Sequence, residues 1–185
     1  MNYTETLDKA LSCLRQLDLD KALLLFYQLL DENPRDLELI DRIYKLEVKR
    51  PHMPGFERIC RHIFSVNSSS QEFHEYFVRA YTDFSEQFGR NSEFSDEQAY
   101  NLLYQLSSTR FEQDCEALVT RIKKHQANNP KTPSALFRYC ESLISKGQML
   151  KAKNEFRYLI TYYTETPEAQ NAIARLSWVE SQIVR

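Results

Sequence analysis

Apolar residues recur at spacings of three and four from one end of the chain to the other, with polar residues between them. Ala22, Leu25, Phe26, Leu29 and Leu30 open the series and would lie on one stripe of a helix. Phe73, Tyr76, Phe77, Ala80, Tyr81, Phe84 and Phe88 continue it, followed by Ala99, Leu102, Leu103 and Leu106. Cys115, Leu118, Val119 and Ile122 form the next stripe, then Leu136, Tyr139, Cys140, Leu143 and Ile144. Ala152, Phe156, Leu159, Ile160 and Tyr163 precede a last stripe of Ala169, Ile173, Leu176 and Val179. No run alternates apolar with polar for long enough to suggest a sheet. Each segment therefore buries one face and wets the other, as a packed helix does.

Boundary signals fall between the stripes. Thr132-Pro133 and Thr166-Pro167 each set a capping hydroxyl before a proline suited to a first helical turn. Ser95 with Gln98, and Ser69 with Glu72, have capping-box spacing. Breaks fall at Asn33-Pro34, Pro51 to Pro54, Phe88-Gly89, Asn128 to Pro130 and Gly147. About ten helices follow, roughly 3–16, 18–32, 36–49, 54–66, 70–88, 95–107, 111–126, 133–146, 148–163 and 167–183. Their short links favour antiparallel helical hairpins, arranged as a bundle or a solenoid.

A search for internal similarity decides between those two, because a solenoid repeats its packing residues at a fixed period. Leu19-Asp20-Lys21-Ala22 leads to Phe26 and Pro34: a small residue, an aromatic four later, a proline twelve later. Gly147-Gln148-Met149-Leu150-Lys151-Ala152 leads to Phe156 in the same way. Leu118, Ile122 and Pro130 take the corresponding places in a third hairpin, and Leu118 lies 34 residues before Ala152.

This pattern resembles the tetratricopeptide repeat, most clearly over residues 3–35 and 99–167. The resemblance implies an all-α fold in which antiparallel hairpins stack as a short right-handed α-solenoid, spanning 1–185 as one domain. Ala10 and Cys140 then stand at the family's small position on a first helix, and Gly147 at its turn glycine. The chain departs from the family in several places. Ala22 and Leu118 are 96 residues apart, not a multiple of 34, and residues 36–95 form an irregular middle. Thr164 replaces the closing proline of the last hairpin, and Trp178 sits in the final helix rather than in a first helix. That helix carries Asn171, Arg175 and Gln182 among its apolar residues, as expected of a C-terminal cap.

Composition narrows the function. Lys and Arg total 24 against 26 Asp and Glu, a net charge of −2, which lacks the footprint of a dedicated nucleic-acid binder. Residues 1–110 carry 13 basic and 18 acidic side chains, and residues 111–185 carry 11 and 8, an asymmetry able to orient a partner or simply to solvate helix faces. Cys13, Cys60, Cys115 and Cys140 are widely spaced and read as buried apolar residues in a reducing compartment. Residues 1–10 offer no apolar signal-peptide core, and no stretch is apolar for long enough to span a bilayer. Cytoplasmic residence, with no membrane insertion, is the expectation.

Catalytic and metal-binding patterns are missing from the sequence. His52, His62, His74 and His125 make no ligand pair at helical spacing, and three scattered glycines build no phosphate-cradling loop of the known kinds. No cofactor is expected, and no enzymatic activity. Arg121, Lys123, Lys124, His125 and Lys131 cluster near a helix end, where cations complement the helix dipole as well as they would meet an acidic partner. The 11 Tyr and 11 Phe residues are the most unusual compositional feature, and at helical spacing most of them pack helices together.

The expected function is a protein–protein interaction scaffold, adaptor or dedicated chaperone that holds a peptide or helix of another protein. Because first helices line the groove in the family it resembles, Leu7, Leu11, Tyr100, Leu103, Phe137, Arg138 and Glu141 are the candidate contact residues. A helical-repeat RNA binder is the second reading, and an enzyme with an unrecognised pocket the third.

Overall fold

The computed structural model describes residues 2–50, 53–89 and 92–183. Pro51 and His52, which belong to the break and the histidine set above, lie outside them. Ten α-helices and no strand occur among the described residues: α1 (Tyr3–Arg15), α2 (Leu19–Glu32), α3 (Leu37–Glu47), α4 (Met53–Ser65), α5 (Gln71–Phe88), α6 (Asp96–Leu106), α7 (Glu112–His125), α8 (Thr132–Ser145), α9 (Met149–Tyr162) and α10 (Pro167–Ile183). Every boundary lies within two residues of its expected place. None of these helices is long and apolar enough to cross a membrane.

The chain gathers into two compact units, Met1–Gly89 and Arg90–Arg185. In the first, α1 to α5 pack each against the next. In the second, α6 meets α7 and α8, α8 meets α9, and α10 lies on both α9 and α8. The protein is thus all-α, with neighbouring helices packing in succession.

Two hairpins, α1–α2 and α8–α9, share their packing residues at a constant offset of 130 positions. Ala10 and Ala22 in one, and Cys140 and Ala152 in the other, are wholly buried. Small side chains there let two helix backbones approach, while Phe26 and Phe156, one turn on, fill the space beside them. The hairpin turns match as well. Asp18 donates its amide to the Cys13 carbonyl at 2.9 Å, and Gln148 to that of Leu143 at 2.8 Å, the Schellman closure of a helix end. The residue between must adopt a left-handed backbone: Gly147 does so at φ 72°, and Leu17 at φ 61°.

The irregular middle uses aromatics where the other hairpins rely on small residues. Phe56, Phe64, Phe73, Phe77 and Phe84 are all buried, with Phe64 within 6.0 Å of the rings of Phe77, Tyr81 and Phe84. One close approach survives there, where the Cys60 thiol reaches the Ala80 carbonyl at 3.8 Å. Tyrosine hydroxyls reach carboxylates on neighbouring helices: Tyr3 donates to Asp36 at 2.8 Å, Tyr76 to Asp41 at 2.5 Å, and Tyr44 to Asp83. Much of the aromatic excess is therefore core, with polar tips spent on inter-helix bonds.

Caps follow the sequence with two corrections. The Ser95/Gln98 capping box forms, and Thr166 accepts from the Ala169 amide at 3.2 Å. Ser70, not Ser69, caps α5, accepting from Phe73 at 3.1 Å. Thr132 does not cap α8. Its hydroxyl is buried, donating to the Gln126 carbonyl at 2.7 Å and sharing a 2.7 Å bond with the Tyr100 hydroxyl. It ties α6 to the end of α7 instead.

Candidate partner-binding face

In the second unit, α6, α8 and α10 carry a row of aromatic and charged side chains, exposed at Tyr104, Arg138 and Trp178 and half-buried at Glu141 and Arg175. Tyr104 of α6 is 40% exposed, and the Arg138 guanidinium of α8 lies 5.1 Å from its ring centre. Glu141, three residues after Arg138 and so on the same helix face, accepts both Nε and a terminal nitrogen of Arg175 from α10, at 2.8 and 2.5 Å. Arg175 in turn lies 5.2 Å from the ring of Trp178, which is 41% exposed.

The helix register explains this alignment. Tyr104 and Arg138 are 34 residues apart, and so are Glu141 and Arg175, which brings equivalent faces of successive helices side by side. The forked guanidinium matches the two carboxylate oxygens, and the bond to Glu141 raises the Arg175 pKa above its ordinary value. Being partly open to water, the pair contributes on the order of 0.5 kcal/mol to stability; its effect is to hold Arg175 beside Trp178. Arg138 differs. Its guanidinium meets a ring but no carboxylate among the described residues, so it is the cation this row offers outward.

The other candidates are distributed differently. Leu7 and Leu11 are half-buried on α1, in the first unit. Tyr100 and Leu103 are core residues, 8% and 1% exposed, and present no surface to a partner. Burial raises the Tyr100 pKa, and its hydroxyl is occupied by Thr132. Phe137 turns toward α9 and meets Phe156 edge-on at 5.7 Å, half-buried. Of the seven, Arg138 and Glu141 are brought together on an open face. Tyr104, Arg175 and Trp178 were missed, although the 34-residue spacing from Tyr104 to Arg138 was a signal for the first.

Other chemistry-bearing residues are dispersed. Among the described residues no three His, Cys, Asp or Glu side chains gather as metal ligands. Burial pushes the Cys115 thiol up to about 12 and those of Cys60 and Cys140 higher still, which leaves them protonated and poor nucleophiles. The basic cluster near the end of α7 divides: Arg121 donates to the Phe94 carbonyl, Lys123 pairs with Glu155 at 2.6 Å, and Lys124, His125 and Lys131 are exposed.

The fold and this face define a class: an all-α protein of paired helices with an open aromatic and charged row across three of them. The chain matches no protein-family model, and no curated protein is significantly similar to it.

Proposed function

We propose that the chain is a tetratricopeptide-like scaffold, adaptor or dedicated chaperone that holds a segment of another protein on the α6–α8–α10 face. The single observation that carries this reading is the row Tyr104–Arg138–Glu141–Arg175–Trp178, whose rings and guanidinium groups are held in place by one another yet open to solvent. Tyr, Trp and Arg are the residues most enriched among energetic anchors at protein interfaces. With Glu141 neutralised by Arg175, the face keeps one outward cation, Arg138. Its partner is a peptide or helical segment that sets a carboxylate beside aromatic or long aliphatic side chains.

The test is affinity capture from the protein's own cell lysate at two salt concentrations, with wild type compared against Arg138→Glu and Trp178→Ala. A stoichiometric protein retained at moderate salt by wild type and lost from both variants, with unchanged thermal melting, supports the reading. Equal capture by the variants removes this face from contention. Nucleic acid bound at low salt and released at high salt would instead promote the RNA-binding alternative, against which the −2 net charge and the dispersed basic cluster both weigh.

A further inference from the structure

Charged residues make up 27% of the chain, yet among the described residues none that α10 exposes is charged. The inner side of this 17-residue helix packs on α9 and α8. Its outer side exposes Gln170, Ile173, Ala174, Ser177, Trp178 and Ser181, with Ile173 at 56% and Trp178 at 41%. A helix face that met only water would carry its share of charge. The charges that border this face are half-buried and matched within the chain: Arg175 with Glu141 at 2.5 Å, and Glu180 with Arg157 at 2.8 Å and Lys153 at 3.1 Å. Both serines turn their hydroxyls onto their own helix. Ser177 donates to the Ile173 carbonyl at 3.3 Å and Ser181 to that of Trp178 at 2.6 Å, so neither needs water or a polar partner.

A charged partner finds nothing to complement on this face, whereas a second copy brings an equally uncharged one. A two-fold axis makes such a contact self-complementary. With the helices antiparallel and the axis level with the midpoint of residues 175 and 176, each large side chain falls against a small one. Ile173 lies over Ser177 of the second copy, and Trp178 over its Ala174. Small residues let the helices approach, as they do within α1–α2 and α8–α9. Size sets the strength. At about 1.5 Å per residue α10 is about 25 Å long, and one such helix pair closes an interface at the small end of specific contacts, about 1,200 Å² or less. The dimer is then reversible rather than obligate.

We propose that the outer face of α10 is a self-association surface, on which a second copy of this chain docks its own α10 antiparallel about a two-fold axis. The contact shares Trp178 with the partner-binding row but does not depend on that reading.

Sedimentation equilibrium of the full chain, from about 1 to about 500 µM, brackets the strength expected of so small an interface. The mass should rise from 22.0 kDa toward twice that value, with a Kd on the order of 50 µM. Ala174→Glu and Ser177→Lys, both at exposed positions, should melt as wild type does and each weaken the dimer by roughly tenfold or more, by setting a charge against an uncharged face. Mixing the two variants should restore association, because positions 174 and 177 lie level with each other across the axis. A wild-type chain that stays at 22.0 kDa throughout, a dimer that survives both substitutions, or a mixture that stays monomeric would each overturn the proposal. So would a wild-type monomer that instead captures a different protein through α10, lost in Ala174→Glu. Arg138→Glu should leave self-association unchanged while abolishing partner capture, so this surface and the partner-binding face stand or fall separately.

Discussion

Leu17 and Gly147 occupy the same turn position in two hairpins, and the backbone there is left-handed in both. For a residue with a Cβ that conformation costs roughly 1–2 kcal/mol. Leu17 is 84% exposed and recovers little by packing. Leu17→Gly should therefore stabilise the protein by roughly 0.5–1 kcal/mol after the extra backbone entropy of glycine is subtracted. Chemical denaturation checks it, and a lower midpoint for the variant would show that Leu17 makes a contribution beyond its turn. Glu47 is a second residue at odds with its surroundings. Its carboxyl group occupies the space a Cβ on Gly55 would need, so a larger residue at that point of α4 would have to displace the Glu47 side chain. Burial raises the Glu47 pKa above its ordinary 4.5; Asp20 adds to the effect, while Arg50 and Arg58 offset it in part. The folded state therefore holds this proton more tightly than the unfolded chain. Its contribution to stability is complete below the ordinary value and is lost as pH rises through the folded one. Glu47→Gln should gain stability relative to wild type as pH climbs from about 4 to 7. Melting curves across that range test it, and a difference that shrinks with pH would reverse the sign assigned here.

At the scale of elements, helix positions were legible because the signal is redundant: four to seven apolar residues in each stripe must agree on one face. Caps were less so. Ser68, Ser69 and Ser70 are chemically equivalent candidates in sequence, and only the start of α5 selects Ser70. Thr132 reads as a cap before Pro133 until Tyr100, 32 positions earlier, is brought against it. The hairpin crossings were legible wherever a small residue marks them. Ala152 is wholly buried where α9 crosses α8, so Ala152→Glu should cost about 3 kcal/mol or more by placing an uncompensated charge there. Hydrogen exchange should then accelerate along α8 and α9. A melting temperature equal to that of wild type would put Ala152 at the surface and move the repeat register. The small pair Cys60 and Ala80, by contrast, escaped notice among the surrounding aromatics.

For the molecule as a whole, the four cysteines report on both units at once: Cys13 and Cys60 in the first, Cys115 and Cys140 in the second. All are buried. A thiol reagent should label none of them rapidly in native protein and all of them in denaturant, with slow native labelling tracking unfolding. Rapid modification of one thiol would locate an opening in its unit. The amino-acid sequence by itself determined that the chain is all-α, where its ten helices lie, and which small residues let α1–α2 and α8–α9 close up. Those properties follow from periodicity and turn chemistry, whose energetics are local. Which side chains of α6, α8 and α10 remain open was decided only by tertiary structure. One residue turns a helical side chain by about 100°, so Phe137 packs on Phe156 while its neighbour Arg138 faces water beside Tyr104. That choice depends on helices some 34 residues away, whose rotation is set by the whole packed core.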